Sequence, residues 1–197
     1  MQEDDCCWGL GMLGFIDKIT TTKWNYWSGF AVDALAIVLL MTVALKRADL
    51  SQVAIVASFA SGYLFFTFIE YLIHARLFHG KPGKLTRVFI VGHWMHHKNP
   101  TGYDSLPFFF ASSLAVLMVL ILSQFVSLSA ATAFSGGFLS GYVVYGLFHH
   151  LIHHTEWKRG YMAYMQGFHQ RHHLNPKTNM GVTSPIWDVV FRTGNKN

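Results

Sequence analysis

Histidines in the later part of the chain form four clusters whose spacing could hold metal ions. Twelve histidines occur among the 197 residues, and none precedes His74. The clusters read HARLFH from His74, HWMHH from His93, HHLIHH from His149 and HQRHH from His169. Neutral imidazole is a common ligand of zinc, copper, iron and nickel. Ten or more clustered imidazoles exceed what one tetrahedral zinc uses, so the clusters predict a site for two ions.

Helical spacing limits which of these side chains can share one ion. His149 and His153 are four residues apart and lie on one helix face, while His74 and His79, five apart, diverge only modestly. In the third cluster, spacing alone also permits the pairs 150/154 and 149/154. In each HxxHH unit the first two histidines are three apart and are expected to share an ion. The third points about 100° away from the second, towards the other ion.

Carboxylates are too scarce to build a carboxylate-bridged metal site. From position 51 onward the acidic residues are Glu70, Asp104, Glu156 and Asp188, and no Glu-x-x-His occurs. Histidine-only ligation suits Lewis-acid zinc or an iron centre that activates oxygen. A non-enzymatic, His-rich metal carrier is the alternative. Carriers usually place ionisable residues at mid-membrane, whereas the apolar segments here contain almost none except Asp33 away from the ends that lead into the histidine clusters.

The composition predicts an all-α integral membrane protein. Apolar residues make up 52% of the chain and charged residues 13%, about half the usual charged fraction. Four apolar segments approach the roughly 20 residues needed to cross a bilayer: Trp27–Leu45, Val53–Ile73, Pro107–Val126 and Ala130–Leu151. Short connections predict four transmembrane helices in two hairpins, with a cytoplasmic helical cap holding the His-rich dimetal site. In the fourth segment, the GxxxG of Gly137 and Gly141 predicts close helix packing.

The distribution of lysine and arginine predicts that both termini and the metal site are cytoplasmic. Most of these residues flank the histidine clusters, and only Lys46 and Arg47 lie at the opposite end. The net charge of +5 fits anionic headgroups; with no nucleic-acid-binding motif, we expect no nucleic-acid partner.

The N-terminal residues predict a short segment on the membrane surface. Trp8, Trp24 and Trp27 suit an interfacial segment over residues 1–26, followed by one domain over residues 27–197. Acidic residues occupy positions 3–5, where a signal peptide would be basic. The adjacent Cys6 and Cys7 provide no disulfide framework, which favours a reducing compartment.

The cluster order, together with the sequences around it, carries a family resemblance. The order is HxxxxH, HxxHH, HxxxH, HxxHH, and it resembles the membrane fatty acid hydroxylase/sterol desaturase superfamily of non-haem di-iron oxygenases. Four segments are similar to the fatty acid 2-hydroxylases: FIEYLIH at 68–74, HHKNP at 96–100, YGLFH at 145–149 and GVTSPIWDVVF at 181–191. The resemblance covers about Ser61 to Thr193.

The resemblance implies a set of metal ligands. Alignment at Tyr145 favours the 149/153 pair and leaves His150 and His154 outside, although carotenoid hydroxylases of the superfamily carry the HxxxxH spacing there. Glu70 would orient a ligand imidazole, and Tyr145 would bond within the site or pack. Asp188 would be a structural partner of an arginine or a backbone amide. The implied ligands are His74, His79, His93, His96, His97, His149, His153, His169, His172 and His173.

The implied reaction is insertion of one oxygen atom of O2 into a C–H bond of a fatty acyl chain, with 2-hydroxylation favoured. The implied cofactors are two iron ions, which zinc could replace because imidazole accepts both. O2 is the co-substrate, and a separate cytochrome b5- or ferredoxin-type protein would supply electrons. The alternative within the superfamily is a sterol or carotenoid hydroxylase or desaturase.

Overall fold

The computed structural model describes residues 18–47, 49–81 and 87–195, and every regular element in these ranges is helical. This confirms the predicted all-α class for that part of the chain. The helix Gln52–Leu72 continues directly into a π-helical turn over Ile73–Phe78. In chain order the helices are α1 (Lys23–Lys46), α2 (Gln52–Leu72), α3 (Arg87–Lys98), α4 (Phe110–Leu122), α5 (Leu128–His154), α6 (Gly160–Leu174) and α7 (Ile186–Phe191).

Hydroxyl side chains fix where the three long helices begin. Thr22, Ser51 and Ser127 precede α1, α2 and α5, and each side-chain oxygen accepts a hydrogen bond from the backbone N–H three residues later. Such caps satisfy amides that have no partner within the helix. The chain therefore turns sharply into each long helix.

Small residues allow α5 to pack closely against α2. A Cβ on Gly137 would lie 1.9 Å from the Phe59 carbonyl oxygen, and one on Gly141 would lie 2.7 Å from the Phe66 side chain. From the other side, a Cβ on Gly62 would lie 2.0 Å from the Phe134 oxygen. The predicted packing role of the GxxxG pair is therefore confirmed. Helix α5 also contacts α1 and α4, which makes it the central helix.

Large apolar side chains point outward from this bundle. Leu35 and Val38 of α1 are each 60% exposed, and Val53 of α2 is 81% exposed. Small and polar residues such as Ser129 and Ser135 are buried in α5 instead. An apolar exterior around a small-residue interior is the arrangement expected of helices surrounded by lipid.

Among the described residues, two helical stretches are long and apolar enough to cross a membrane: Lys23–Lys46, with 24 residues, and Gln52–Phe78, with 27. The third predicted span, Pro107–Val126, contains the helix Phe110–Leu122, whose 13 residues fall short of the roughly 20 that a straight crossing needs. The fourth contains α5, 27 residues long but rich in glycine and serine. The arrangement of four spans in two hairpins stays a prediction.

Polar side chains join α1 to the segment before α4 and to α4 itself. The Asn25 amide nitrogen donates to Ser105 Oγ and to the Leu106 carbonyl. Deeper in α1, the buried Asp33 accepts a short hydrogen bond from Ser112 of α4. Of the predicted interfacial tryptophans, Trp24 and Trp27 lie exposed in the first turns of α1. Trp8, Cys6 and Cys7 lie outside the described residues.

Candidate metal centre

All ten imidazoles singled out from the sequence come together at one end of the bundle, in two groups of five. Within each group, one ring nitrogen from every histidine lies within 4.8 Å of the others. The first group is His74, His79, His93, His97 and His172. The second group is His96, His149, His153, His169 and His173.

The π-helical turn brings together the two histidines that are five residues apart. In a π-helix the backbone N–H bonds to the carbonyl five residues earlier, and the His79 N–H donates to the His74 carbonyl at 3.3 Å. This widened turn compensates for the divergence that an α-helix gives to positions five apart. Ring nitrogens from both residues therefore reach the first group. The sequence pattern predicted the pair but not the turn that aligns it.

The expected division of each HxxHH unit was wrong. His93 and His97, the first and third histidines of α3, belong to the first group, and His96 between them belongs to the second. Helix α6 repeats this with the groups exchanged, since His169 and His173 are in the second group and His172 is in the first. The reason is angular: residues four apart differ by about 40° around a helix, and residues three apart by about 60°. Each of these helices therefore contributes to both groups.

At the end of α5, the structure brings His149 and His153 into the second group. His150 and His154 stack on each other with ring centres 4.1 Å apart. The His150 ring also lies 5.1 Å from that of Trp27 in α1. These two histidines thus pack on a different side of α5, about 100° around the helix from the pair His149 and His153. Neither the pair 150/154 nor the pair 149/154 lies in one group.

The nitrogen separations suit a bound cation. In the first group, His93 Nε2 lies 3.1 Å from His74 Nε2, 2.9 Å from His79 Nε2 and 3.0 Å from His97 Nε2. In the second, the corresponding contacts to His169 Nε2 are 3.0–3.2 Å. Nitrogens at right angles around one ion, each at about 2.1 Å, lie about 3 Å apart, against about 3.4 Å in a tetrahedron. Each group therefore fits one ion with more than four ligands.

The hydrogen-bonding capacity of the rings also fits a metal. A neutral imidazole carries one N–H, and Nδ1 of His74 and of His172 faces a backbone carbonyl, so its Nε2 is left with a lone pair. In the second group, His96 Nε2 is buried with no hydrogen-bond partner among the described residues. Converging lone pairs are unfavourable unless a cation lies between them.

Burial keeps the imidazoles in their metal-binding form. Desolvation, reinforced by neighbouring imidazoles, lowers the pKa of His79 and of His97 to about 4. The same causes lower the pKa of His153 to about 4 and that of His173 to about 3. At neutral pH these rings are therefore uncharged, the state in which imidazole binds a metal ion.

The segment after α6 supplies contacts that the sequence reasoning missed. His74 Nδ1 donates to the Met180 carbonyl, and His172 Nδ1 donates to the Thr178 carbonyl at 2.8 Å. Backbone carbonyls have no residue-type signature. The available signal was Asn179 between them, a residue type that tolerates the left-handed conformation it adopts at φ 57°.

Of the three other residues singled out from the sequence, Tyr145 contacts a histidine ring, and Glu70 and Asp188 contact the segment after α6. Glu70 is buried and accepts hydrogen bonds from Val182 N at 2.8 Å and from the Thr183 hydroxyl at 3.2 Å, so it contacts this segment. Tyr145 stacks on His149 with ring centres 5.7 Å apart. Asp188 accepts from two backbone amides, which confirms the predicted amide partnership.

A cleft of about 630 Å³ opens beside the second group. His153 and His173 line it together with Gln166 and Gln170. Two ligands of the second group therefore border an open cleft.

Comparison with known proteins decides the family. Residues 59–193, more than half of the chain, match the family described as fatty acid hydroxylase. The chain belongs to this family. The matched residues contain all ten histidines of the two groups.

Several members of the fatty acid hydroxylase family align with nearly the whole chain. Fatty acid 2-hydroxylase of Mus musculus is 30% identical over 91% of this chain and 50% of its own length. Dihydroceramide fatty acyl 2-hydroxylase FAH2 of Arabidopsis thaliana is 29% identical over 91% of this chain and 76% of its own length. The chain thus spans about half the length of the mouse relative.

A solved structure shares the fold. It is described as full-length scs7p with only the hydroxylase domain visible, and it superposes with a TM-score of 0.75 at 28% identity. The superposition covers 92% of this chain and 70% of that one. The helical arrangement of this chain is therefore similar to that of the hydroxylase domain visible in scs7p.

Proposed function

We propose that this protein is a membrane lipid hydroxylase that inserts one oxygen atom of O2 into a C–H bond of a fatty acyl chain at a His-ligated di-iron centre. Two converging groups of five imidazole nitrogens carry this proposal, since such a donor set suits two ions and little else. The names of the relatives favour C2 of the acyl chain. The grouping of 149 with 153 does not match the spacing of carotenoid hydroxylases.

The balanced reaction is R–H + O2 + 2e⁻ + 2H⁺ → R–OH + H2O. When bound, the two iron ions would supply the redox chemistry that reduces O2 and oxidises the C–H bond. Ten imidazoles would hold these ions, and burial favours the neutral, metal-binding form of the rings. The segment after α6 orients two of these rings. Electrons would come from a cytochrome b5- or ferredoxin-type donor.

We place the acyl chain in the membrane beside the apolar helices that end at the histidines. The lipid would then reach the metal centre without leaving its apolar surroundings. The four-span topology with cytoplasmic termini belongs to the same proposal. It is supported by the outward apolar side chains of α1 and α2 and by the lysines and arginines around the clusters.

The test is lipid mass spectrometry of cells that express the protein, compared with cells that express His173→Ala. Activity should appear as acyl chains heavier by one oxygen, with the hydroxyl located by fragmentation, and the variant should lack them. Metal analysis of the purified protein should give about two ions per chain. Hydroxylated sterol or carotenoid, or acyl chains that have lost two hydrogens, would contradict the proposed reaction.

A further inference from the structure

The two groups of imidazoles differ in how their rings are held. In the first group, two rings from different helices, His74 and His172, donate from Nδ1 to backbone carbonyls. In the second group, Nδ1 of His169 is buried without a hydrogen-bond partner among the described residues. A hydrogen bond at one ring nitrogen fixes the orientation of the imidazole and strengthens the other nitrogen as a ligand.

Both carbonyls belong to residues flanking Asn179, whose left-handed backbone turns the chain between them. Its φ is 57°, and its side chain is fully buried. The amide nitrogen of that side chain donates to the Phe168 carbonyl of α6, and its oxygen accepts from Asn195 N at 2.7 Å. Asn179 thus holds Thr178 and Met180 so that their carbonyls serve imidazoles from two separate elements.

Asp188 of α7 also fixes the turn at Asn179 through hydrogen bonds to its backbone amides. It is 1% exposed, and its two oxygens accept from Met180 N at 2.8 Å and from Gly181 N at 2.7 Å. The Thr193 hydroxyl donates to it at 2.7 Å. Because Asp188 fixes the peptide groups on either side of Met180, it determines where the carbonyl that holds His74 lies.

We propose that Asp188 and Asn179 are positioning residues for the ion of the first group alone, and that the two ions are consequently held with unequal affinity. The first ion is the tighter, because two of its ligands are oriented before it binds. The second is the more easily exchanged, because the buried His169 Nδ1 has no hydrogen-bond partner among the described residues to orient that ring. This inference rests on the proposed dimetal site and adds that the protein holds its two ions differently.

The experiment titrates Co²⁺ alone into metal-free, full-length protein in detergent, read by its absorption spectrum and by competition with a chelator. Replacing two ligands isolates each site: His153→Ala with His173→Ala leaves the first site, and His79→Ala with His97→Ala leaves the second. Asp188→Asn is then added to each background. Asparagine has the size of aspartate but only one acceptor oxygen. The amides of Met180 and Gly181 each bond to a different oxygen of Asp188, so asparagine leaves one of them without its partner.

We expect Asp188→Asn to weaken Co²⁺ binding about 10- to 100-fold where the first site remains, and to change its spectrum. Binding where the second site remains should be unaltered. Asp33→Asn is the matched control, because Asp33 is also buried but bonds to Ser112 of α4. That control should change neither site. If Asp188→Asn does not fold, Thr193→Val removes one hydrogen bond to Asp188 and should give the same one-sided pattern, more weakly.

Equal weakening of both sites would overturn the proposal, because it would make Asp188 a general stabiliser of the fold. Unchanged binding at the first site would overturn it too. Failure of the unmodified protein to bind Co²⁺ at either site is a separate outcome, and it would overturn the proposed dimetal centre itself.

Discussion

At the residue scale, two adjacent histidines contact quite different surroundings. His149 stacks on Tyr145 and lies in the second group, whereas His150 stacks on His154 and lies beside Trp27. His149→Ala should therefore remove a ligand, lower the metal content from two ions towards one and abolish hydroxylation. His150→Ala should keep both ions and most of the activity. Metal analysis and product assay of the two purified variants measure this, and the reverse result would show that the grouping at α5 is wrong.

Glu70 provides a second test at this scale. In Glu70→Gln, the remaining oxygen can accept from Val182 N, and the new amide can donate to the Thr183 hydroxyl, which can reverse its role. We therefore expect this variant to keep its metal and activity. Glu70→Ala leaves a buried N–H without a partner and should lower the free energy of unfolding by about 1–3 kcal/mol. Thermal unfolding in detergent measures the loss.

A different result for Glu70→Gln would assign the residue a different role. Full metal content without activity would indicate that the carboxylate carries a proton in the reaction. Glu70 contacts the segment whose Met180 carbonyl bonds to His74, and these contacts predict that Glu70→Gln keeps its activity.

At the scale of helices, the sequence predicted which elements carry ligands better than it predicted how the ligands divide. Spacing of four residues allowed His149 to lie beside His153, but it allowed 150/154 equally, and only the resemblance at Tyr145 favoured the pair that the structure groups. The alignment of His74 with His79 depends on a π-helical turn, which no residue type marks. Helix angles separate His96 and His172 from the two other histidines of their units, but which group each joins depends on how α3 and α6 face each other, and that arises from tertiary packing.

The contact between α2 and α5 makes a quantitative prediction at this scale. Gly137→Ala places a Cβ 1.9 Å from the Phe59 carbonyl oxygen, which is backbone and cannot move away cheaply. The helices must separate, and overpacking of this kind costs about 1–3 kcal/mol. The imidazoles at the ends of α2 and α5 would shift with them. We expect a lower unfolding temperature and reduced metal content.

The neighbouring Gly136 is a matched control on the same helix. A Cβ there meets the Met41 sulfur at 3.3 Å, and methionine is a flexible side chain that can adjust. Gly136→Ala should therefore be tolerated in the same unfolding and metal measurements. Equal damage from both substitutions would show that α5 does not approach α2 as closely at Gly137 as the structure has it.

At the scale of the whole molecule, the sequence supports part of the membrane arrangement. The mean hydropathy of α1 and α2 identifies them as candidate spans, because large apolar residues face outward on both. The mean hydropathy of α5 is lower, because a central helix needs glycine and serine where its neighbours approach closely. The contact of Glu70 with Val182 joins residues 112 positions apart, and no local pattern could have predicted it.

The topology gives the last prediction, because the two ends of the bundle differ in charge and chemistry. Ser51 lies exposed between α1 and α2, at the end opposite the histidines, and Gln170 lies exposed on α6 beside the metal groups. In a variant with Cys6 and Cys7 replaced by serine, single cysteines at these positions report each side. An impermeant maleimide added to sealed cells should label Ser51→Cys directly and Gln170→Cys only after permeabilisation. The reverse pattern would place the metal groups outside the cytoplasm, and labelling of both without permeabilisation would show that α1 and α2 do not carry the chain across the membrane and back.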